Sequence, residues 1–232
     1  MARRLLELFA GTRSIGKAFE RLGGWEVLSV DIDPTFADID LCMDVMDLTP
    51  GMVVRELGRP EVIWASPDCT TYSLAAISRH REKEAHGNLA PKTERARYSD
   101  RVNMHVHNLI MSLTPSLWFI ENPRGGMTSM DFMHGLAEMR NLVTYCQYSD
   151  TRQKPTYIWT NHPDPRFRPP CKAGDPCHEA APRGSKSGTQ GLKNARHRSV
   201  IPDELCDHIA RICDEFDWSN WTDPDESQAR LF

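Results

Sequence analysis

The chain has 232 residues, of which 40% are hydrophobic and 26% are charged, and its formal net charge at neutral pH is −4. This length suits one elaborated α/β domain or a domain with a small appendage, and it excludes fibrous proteins and multidomain scaffolds. The longest uncharged apolar stretch, residues 112–120, is far shorter than the roughly 20 residues that cross a membrane. We expect a cytoplasmic protein without a secretory leader, whose seven cysteines are core residues, metal ligands or a nucleophile rather than disulfides.

The hydrophobic pattern predicts strands that alternate with helices. Strands are predicted at residues 5–9, 25–30, 62–65, 117–120 and 142–148, and helices at residues 14–22, 101–113, 129–139 and 203–216. This alternation indicates an α/β fold of the Rossmann-like, doubly wound type with a mostly parallel sheet. Ligands of such folds bind beyond the carboxyl ends of the strands, so we expect functional residues in the loops that follow them.

Two polar stretches interrupt this pattern. Residues 76–100 are rich in charge and lack apolar periodicity, as in a functional loop or a disordered one. Residues 161–200 contain much of the proline and glycine, which predicts a small irregular sub-domain. We therefore divide the chain into an α/β domain at 1–160, this sub-domain at 161–200, a helix returning to the α/β domain at 201–217 and an acidic tail at 218–232.

The charge is distributed unevenly along the chain. Residues 150–200 hold 10 lysines and arginines against 4 acidic residues, whereas residues 201–232 hold 2 against 9. A local basic segment can contact phosphate even in an acidic protein, because phosphate neutralisation depends on nearby cations. The alternative is a solvated surface loop.

The turn after the first predicted strand, residues 9–16, places small residues just before a helix N-terminus, where backbone N–H groups can approach a ligand. Such a glycine turn also occurs for purely geometric reasons. Asp31, at the end of the second strand, favours a ligand because a carboxylate there can bind both hydroxyls of a ribose. Together they indicate a nucleoside cofactor, although the three-glycine dinucleotide fingerprint is absent.

Cys69 and Glu121 each follow a predicted buried strand and therefore belong to the same edge of the sheet. Cys69 is flanked by polar turn residues, which favours a nucleophile over a small core residue. Glu121 leads into a Pro/Gly loop, where the alternative role is a strand-end cap or an ion-pair partner. The pairing of a thiol with a carboxyl group indicates covalent catalysis assisted by an acid.

Cys171, Cys177 and His178 lie close together in the irregular segment and offer three soft metal ligands. With His162 or His197 as a fourth ligand, they would form a tetrahedral zinc site that orders a loop with little core. The spacing lacks a paired Cys-x-x-Cys signature, so the alternative is a set of loop residues that bind no metal.

Five motifs, in one order along the chain, resemble those of the DNA cytosine-5-methyltransferase family, in a compact form similar to phage-encoded members. They are Phe9-Ala10-Gly11, Asp31, Asp44, Pro67-Asp68-Cys69 and Glu121-Asn122-Pro123. The resemblance spans roughly residues 5–160, and residues 199–202 with the helix after them are similar to the family's last motif. It implies that residues 1–160 bind S-adenosylmethionine and carry out catalysis, and that the 161–200 sub-domain recognises DNA.

The resemblance also implies roles for particular residues. Cys69 would attack C6 of a flipped cytosine while Glu121 binds the N3 edge, and the cytosine would then be methylated at C5. We expect the enzyme to act on DNA as a monomer. Asn122 would position the catalytic loop, and Arg152 and Lys154 would place cations near the pyrimidine or its phosphate. The S-adenosylmethionine site would be formed by Phe9, Ala10, Gly11, Thr12, Arg13, Asp31, Ile32, Asp44, Val45 and Pro67. Among these, Asp31 would hold the ribose and Asp44 would accept from the adenine amino group.

Two departures from the family pattern leave alternatives open. The residue before Cys69 is Asp68 where the family has proline, and its charge would raise the pKa of the thiol unless the carboxylate points away. A chain weakened in this way would serve as a DNA-binding module rather than an enzyme. Arg13 replaces a glycine near the methionine part of the cofactor, where it would favour carboxy-S-adenosylmethionine and a carboxymethyl product, or turn outward to a DNA phosphate.

Two basic sets are candidate DNA contacts. Residues 76–100 are predicted to form a mobile lid that closes over the flipped base and grips phosphate, with a disordered polar loop as the alternative. The cations of this segment are Arg79, His80, Arg81, Lys83, Lys92, Arg95 and Arg97. The second set has no acidic residue near it between residues 180 and 200 and consists of Arg183, Lys186, Lys193, Arg196 and Arg198.

Overall fold

The computed structural model of the protein describes residues 2–84, 87–172, 174–180 and 195–220. Its strands are β1 (Arg3–Leu8), β2 (Trp25–Asp31), β3 (Leu41–Cys42), β4 (Val62–Ala65), β5 (Arg81–Lys83), β6 (Leu89–Pro91), β7 (Leu117–Pro123), β8 (Arg140–Thr144) and β9 (Pro155–Thr160). Its helices are α1 (Ser14–Leu22), α2 (Pro50–Leu57), α3 (Ile77–His80), α4 (Glu94–Leu113), α5 (Asp131–His134), α6 (Ala195–Ser199) and α7 (Asp203–Asp214).

A seven-stranded sheet in the order β3-β2-β1-β4-β7-β9-β8 forms the centre of the described structure. The strands from β3 to β7 pair in parallel, and β9 runs antiparallel to both β7 and β8. Parallel strands are joined through helices, so the predicted mostly parallel, doubly wound α/β fold is confirmed. The strand order places the carboxyl ends of β1, β2, β4 and β7 side by side at one edge of the sheet.

Helices cover both faces of the sheet. Successive side chains of a strand point to opposite faces, so Leu5 on β1 packs with α1 and α7, whereas Leu6 packs with α2 and α4. All four residues of β4 are buried for the same reason. The central strands are therefore held on both sides, and the loops at their carboxyl ends stand on a rigid base.

Three elements differ from the sequence prediction, and one of them is the helix predicted at residues 129–139, of which only the four residues of α5 are α-helical. Helix α4 begins at Glu94 rather than near residue 101, with the Thr93 hydroxyl accepting from the Ala96 backbone N at 3.2 Å. The first two turns of α4 are rich in charged residues, and their buried positions are the small residues Ala96 and Ser99. Apolar periodicity therefore did not reveal this part of the helix. Strand β8 stops at Thr144, and the rest of the segment predicted as strand forms a 3-10 turn, Tyr145–Tyr148.

The segment predicted as a lid, residues 76–100, contains α3, the β5–β6 hairpin and the first turns of α4. Within it, Arg81 is not a phosphate ligand: its side chain is fully buried, pairs with Asp100 at 2.6 Å and stacks 4.2 Å from the centre of the Tyr72 ring. His80 is also buried and hydrogen-bonds the Thr93 hydroxyl at 3.0 Å. The remaining cations of the predicted set are exposed, and they are Arg79, Lys83, Lys92, Arg95 and Arg97.

The carboxyl-terminal half of the chain is only partly described. Of the second basic set, Arg183, Lys186 and Lys193 lie outside the described residues, as do residues 221–232 of the predicted acidic tail. Trp218, at the start of that tail, packs 6.0 Å from Trp25 on the α/β domain. No helix among the described residues is both long and apolar enough to cross a membrane.

Candidate active site

The loops after β1, β4 and β7 enclose a cleft of about 500 Å³, here called the main cleft. Its wall contains most of the residues expected at a cofactor and base site, although they come from distant parts of the chain. The predicted site residues that line it are Phe9, Ala10, Gly11, Thr12, Pro67, Cys69, Glu121 and Lys154, together with Asp68. The thiol and the carboxyl group thus face one cavity, and Cys69 is partly exposed rather than sealed in the interior.

A second cleft of about 270 Å³, here called the side cleft, adjoins the main cleft because Phe9 and Pro67 line both. Three further predicted cofactor residues line it, namely Ile32, Asp44 and Val45. Asp44 caps the turn after β3 by accepting from the Met46 backbone N at 2.9 Å, and its other oxygen accepts from the Tyr98 hydroxyl. The side cleft is therefore a largely apolar pocket that also contains the Asp44 carboxylate and the Asp68–Arg95 ion pair.

Asp31 braces the turn that follows β1. Its two carboxylate oxygens accept from the backbone N–H groups of Gly11 and Asp33, both at 2.8 Å. Gly11 has a φ of +50°, a left-handed conformation that glycine adopts without strain. Because a carboxylate has about four acceptor positions, these bonds leave Asp31 acceptor capacity for a ligand.

Arg13 does not line the main cleft. Its guanidinium pairs with Glu20 on α1, and only 10% of its side chain is exposed. The structure therefore directs this cation toward Glu20 rather than into the main cleft.

The loop that carries Cys69 is fixed to the end of β7. The buried amide of Asn122 donates to the Pro67 carbonyl at 3.0 Å, and the Gly126 backbone N donates to the Tyr72 carbonyl at 2.8 Å. A Cβ atom at Gly125 would lie 2.5 Å from that same carbonyl oxygen, so the close approach of the two loops requires glycine. These contacts set the position of Cys69 relative to Glu121.

The surroundings of Cys69 keep its thiol protonated. Burial, and then the negative charges of Glu121 and Asp68, raise the pKa of Cys69 to about 11, while Lys154 acts in the opposite direction. The Asp68 carboxylate accepts from the Thr70 hydroxyl at 2.6 Å and pairs with Arg95 at 2.8 Å. Burial alone would raise the pKa of Asp68, but these hydrogen bonds outweigh it and hold the pKa below its usual value.

Glu121 belongs to a buried chain of three polar side chains. The Tyr145 hydroxyl donates to Glu121 Oε1 at 3.2 Å, and Lys154 Nζ donates to the same hydroxyl at 3.3 Å. Burial raises the pKa of Glu121, and the charge of Lys154 and the Tyr145 hydrogen bond only partly offset this. Burial also lowers the pKa of Lys154. Glu121 therefore keeps its proton to a higher pH than an exposed carboxyl group does.

Arg152, predicted as a cation near the base, instead holds a neighbouring segment. Its side chain is 7% exposed and pairs with Asp150. Its guanidinium also donates to the backbone carbonyls of His197, Arg198 and Val200 at 3.0 to 3.3 Å. This contact positions α6, whose residue Arg196 lines the main cleft together with Arg198.

The predicted metal ligands Cys171, Cys177 and His178 come together in the structure. Their fourth neighbour is Cys146, rather than His162 or His197 as the sequence suggested. His162 Nε2 lies 3.2 Å from the Ile212 carbonyl, on another part of the molecule. Cys146 lies within residues 142–148, which the sequence predicts as a strand, and this prediction concealed it as a ligand.

Glu7 is a site residue that sequence reasoning missed. It lies on β1, is 2% exposed and lines the main cleft, and its Oε1 accepts from the Ile15 backbone N at 3.2 Å. A Cβ atom at Gly16 would lie 2.5 Å from Glu7 Oε2, so this glycine lets α1 approach the carboxyl group. Burial raises the pKa of Glu7 from its ordinary value of 4.5 to about 7, although backbone hydrogen bonds and Arg13 oppose the shift.

We expect Glu7 to give the stability of the protein a distinct pH dependence. Between about pH 4.5 and 7 the folded chain keeps a proton on Glu7 that the unfolded chain has released. The free energy of unfolding should therefore fall as the pH rises through this window, by about 3 kcal/mol in total from this group. Glu7→Gln, which stays neutral, should show a flatter dependence in urea unfolding at pH 5 and pH 7.5. Glu26→Gln, at an exposed position of β2, serves as the control and should follow the wild-type curve; an equally steep curve for Glu7→Gln would contradict the assignment.

Comparison with known proteins places the chain in a family. It is 31% identical over 165 residues to a protein of Frog virus 3 (isolate Goorha) named "Probable DNA (cytosine-5)-methyltransferase", and the match covers 68% of this chain and 70% of that protein. No protein-family model matches. Among solved structures, a "putative DNA modification methyltransferase encoded within prophage" from E. coli superimposes with a TM-score of 0.50 at 14% identity. That match covers 68% of this chain and 46% of the prophage protein, so this chain spans less than half the length of the prophage protein. The superposition supports the assignment of the fold. The chain belongs to the DNA (cytosine-5)-methyltransferase family.

Proposed function

We propose that the protein transfers a methyl group from S-adenosylmethionine to C5 of a flipped DNA cytosine through a covalent adduct with Cys69. The observation that carries this proposal is the meeting of Cys69, Glu121 and Lys154 in one cleft. That cleft adjoins the side cleft, in which Asp44 is the polar group expected at a nucleoside. The family relationship supports the same reaction.

The two clefts fit S-adenosylmethionine, which has an adenosine part and an amino-acid part. An elongated ligand can pass from one cleft to the other beside Phe9 and Pro67, which line both. Asp44 would accept from the adenine amino group, and Asp31 would hold the ribose while bracing Gly11. When bound, this cofactor supplies an electrophilic methyl group on a positively charged sulfur. Arg13 is held by Glu20 and supplies no cation for a carboxylated cofactor, which supports the plain methyl donor.

The cytosine ring would be activated from two sides. The Cys69 thiol would give its proton to water in the cleft, and its sulfur would then form a bond to C6. The electrons of the C5–C6 double bond shift to C4–C5, and those of the C4–N3 double bond move onto N3. The protonated carboxyl group of Glu121 donates to N3, which stabilises the charge that develops there. After C5 has gained its methyl group, N3 would return its proton to Glu121 and water would take the C5 proton. The C5–H electrons then restore the C5–C6 double bond, and the sulfur leaves with the C–S electrons.

The remaining polar residues of the site would orient and tune this pair. Tyr145 and Lys154 hold the Glu121 carboxyl group in place, and the charge of Lys154 favours the thiolate form of Cys69. Asn122 acts as a positioning residue for the Cys69 loop. Arg196 and Arg198 line the same cleft and would contact the backbone of an extruded nucleotide.

The proposal is tested by expressing the chain in a bacterial host that lacks cytosine-5 methylation. Sequencing-based mapping of modified bases, with mass spectrometry of the nucleosides, should find 5-methylcytosine within a defined short sequence. A carboxymethyl product would replace the proposed donor by carboxy-S-adenosylmethionine. An unmodified genome, despite soluble expression of the wild-type chain, would overturn the proposed activity.

A further inference from the structure

Three sulfur atoms and one imidazole nitrogen converge at a place that the proposed reaction does not use. The ligand atoms of Cys146, Cys171, Cys177 and His178 all lie within 4.8 Å of one another. The Sγ atom of Cys146 is 3.1 Å from that of Cys171 and 3.6 Å from that of Cys177, and His178 Nδ1 lies 3.6 Å from the sulfurs of Cys171 and Cys177. Four soft ligand atoms thus surround one point.

These distances suit a bound metal ion better than a disulfide. The three cysteines form no disulfide, and the two sulfurs that lie nearest each other, those of Cys146 and Cys171, are much farther apart than the roughly 2.05 Å of an S–S bond. In a tetrahedral zinc site with Zn–S bonds of about 2.3 Å, two sulfurs lie a little under 4 Å apart. Three cysteines and one histidine are also a recurrent ligand set of structural zinc.

The groups around the sulfurs match the needs of thiolate ligands. The side-chain amide of Gln153 donates to the Cys171 sulfur, and that of Gln147 donates to the Cys177 sulfur, each at 3.4 Å. N–H donors of this kind stabilise the negative charge on sulfur and orient the ligand. The Cys171 backbone N also donates to the Thr144 hydroxyl at 3.0 Å, which ties this ligand to the end of β8.

The cluster joins two segments that lie apart in the chain. Cys146 lies in the 3-10 turn after β8, and the other three ligands lie in residues 171–178, whose described part contains no helix or strand. Tyr145 directly precedes Cys146 in this turn. Its hydroxyl donates to Glu121, and its backbone N donates to the Gln153 carbonyl at 2.9 Å. A metal ion at the cluster would therefore fix the base of the turn that supports the main cleft.

We propose that Cys146, Cys171, Cys177 and His178 bind one structural zinc ion. The ion closes the loop from Cys146 to His178, which contains β9, and attaches the irregular segment to the α/β domain. It takes no part in methyl transfer, because its ligands do not line the main cleft. The proposal is independent of the proposed activity, since it depends on the ligand geometry alone.

Metal analysis of the purified full-length chain, produced without a metal-binding tag, tests this site. We expect about one zinc ion per chain by inductively coupled plasma mass spectrometry. Protein from which a chelator has removed the metal should regain the same amount when zinc is added. Replacement of the zinc by Co²⁺ should give the intense visible bands of a tetrahedral ion and sulfur-to-metal charge-transfer bands, which report thiolate ligands directly.

Cys177→Ser is the informative variant, because Cys177 is exposed and its substitution leaves the core intact. This variant should lose the bound zinc and weaken the charge-transfer bands, whereas Cys42→Ser, at an exposed cysteine on β3, should keep both. A stripped wild-type chain that takes up neither zinc nor Co²⁺, or a native Cys146–Cys171 disulfide in peptide mass spectrometry, would overturn the proposal. Equal zinc content in the two serine variants would do the same.

Discussion

Cys69→Ala should abolish methyl transfer to DNA, lowering the rate roughly 10³-fold or more, because no other described thiol lines the main cleft. The variant should still bind S-adenosylmethionine, since the cofactor residues around Phe9 and Asp44 are unchanged. The wild-type chain should form a stable covalent complex with DNA that contains 5-fluorocytosine, because fluorine at C5 blocks the proton loss that releases the enzyme. The alanine variant should form none.

Two controls separate this result from simpler explanations. Cys42→Ala removes an exposed cysteine on β3 that lines neither cleft, and it should keep both activity and covalent trapping. Thermal unfolding of Cys69→Ala should match the wild type, because the side chain is only partly buried. Should the alanine variant behave like the wild type in every assay, the chain would be a DNA-binding module and the nucleophile assignment would be wrong.

The high pKa of Cys69 limits the reactivity of this thiol in the free protein. With a pKa of about 11, about one thiol in three thousand is ionised at pH 7.5 in the free protein. In the proposed reaction, two changes would lower this pKa when the substrates bind: the positively charged sulfur of the cofactor would approach the thiol, and a proton on Glu121 would remove a neighbouring negative charge. The proposed mechanism therefore predicts a thiol that reacts slowly in the free protein and is activated only when both partners are bound.

The position of the site could be predicted from the sequence because it follows from topology. Cys69 lies in the loop after β4 and Glu121 lies near the carboxyl end of β7, and the carboxyl ends of parallel strands meet at one edge of a doubly wound sheet. Tyr145 could not be predicted in the same way, because it meets Glu121 only through the antiparallel pairing of β8 and β9 with β7. Strand β9 itself was missed, since it begins with a proline.

Two arginines were predicted to contact a ligand but face inward. Arg81 was expected to grip phosphate as part of a basic segment, and the family resemblance placed Arg152 near the pyrimidine or its phosphate, but each is paired with an aspartate in the protein. The partner of Arg81 is Asp100 and that of Arg152 is Asp150. The fold, rather than the local charge, determines that each guanidinium is buried in an ion pair. The cations that do reach the main cleft, Lys154, Arg196 and Arg198, are brought there by β9 and by the contacts of Arg152.

Glu121→Gln should lower methyl transfer by roughly 10²- to 10⁴-fold while making Cys69 more reactive toward small electrophiles. The amide keeps the shape of the side chain and can still accept from the Tyr145 hydroxyl, but it cannot pass a proton to N3 of cytosine. The same change removes the largest neighbouring negative charge acting on Cys69, so the pKa of the thiol should fall below its wild-type value of about 11. Two measurements on one variant therefore move in opposite directions.

These opposite changes distinguish a catalytic role of Glu121 from a structural one. Alkylation of Cys69 by iodoacetamide at pH 8, followed by peptide mass spectrometry, should be faster in Glu121→Gln than in the wild type. Glu138→Gln, at an exposed position after α5, should change neither alkylation nor transfer. A disordered site would instead expose other buried cysteines, such as Cys206 and Cys213, to the reagent. Full transfer activity in Glu121→Gln, or slower alkylation of its Cys69, would show that this carboxyl group neither activates the base nor restrains the thiol.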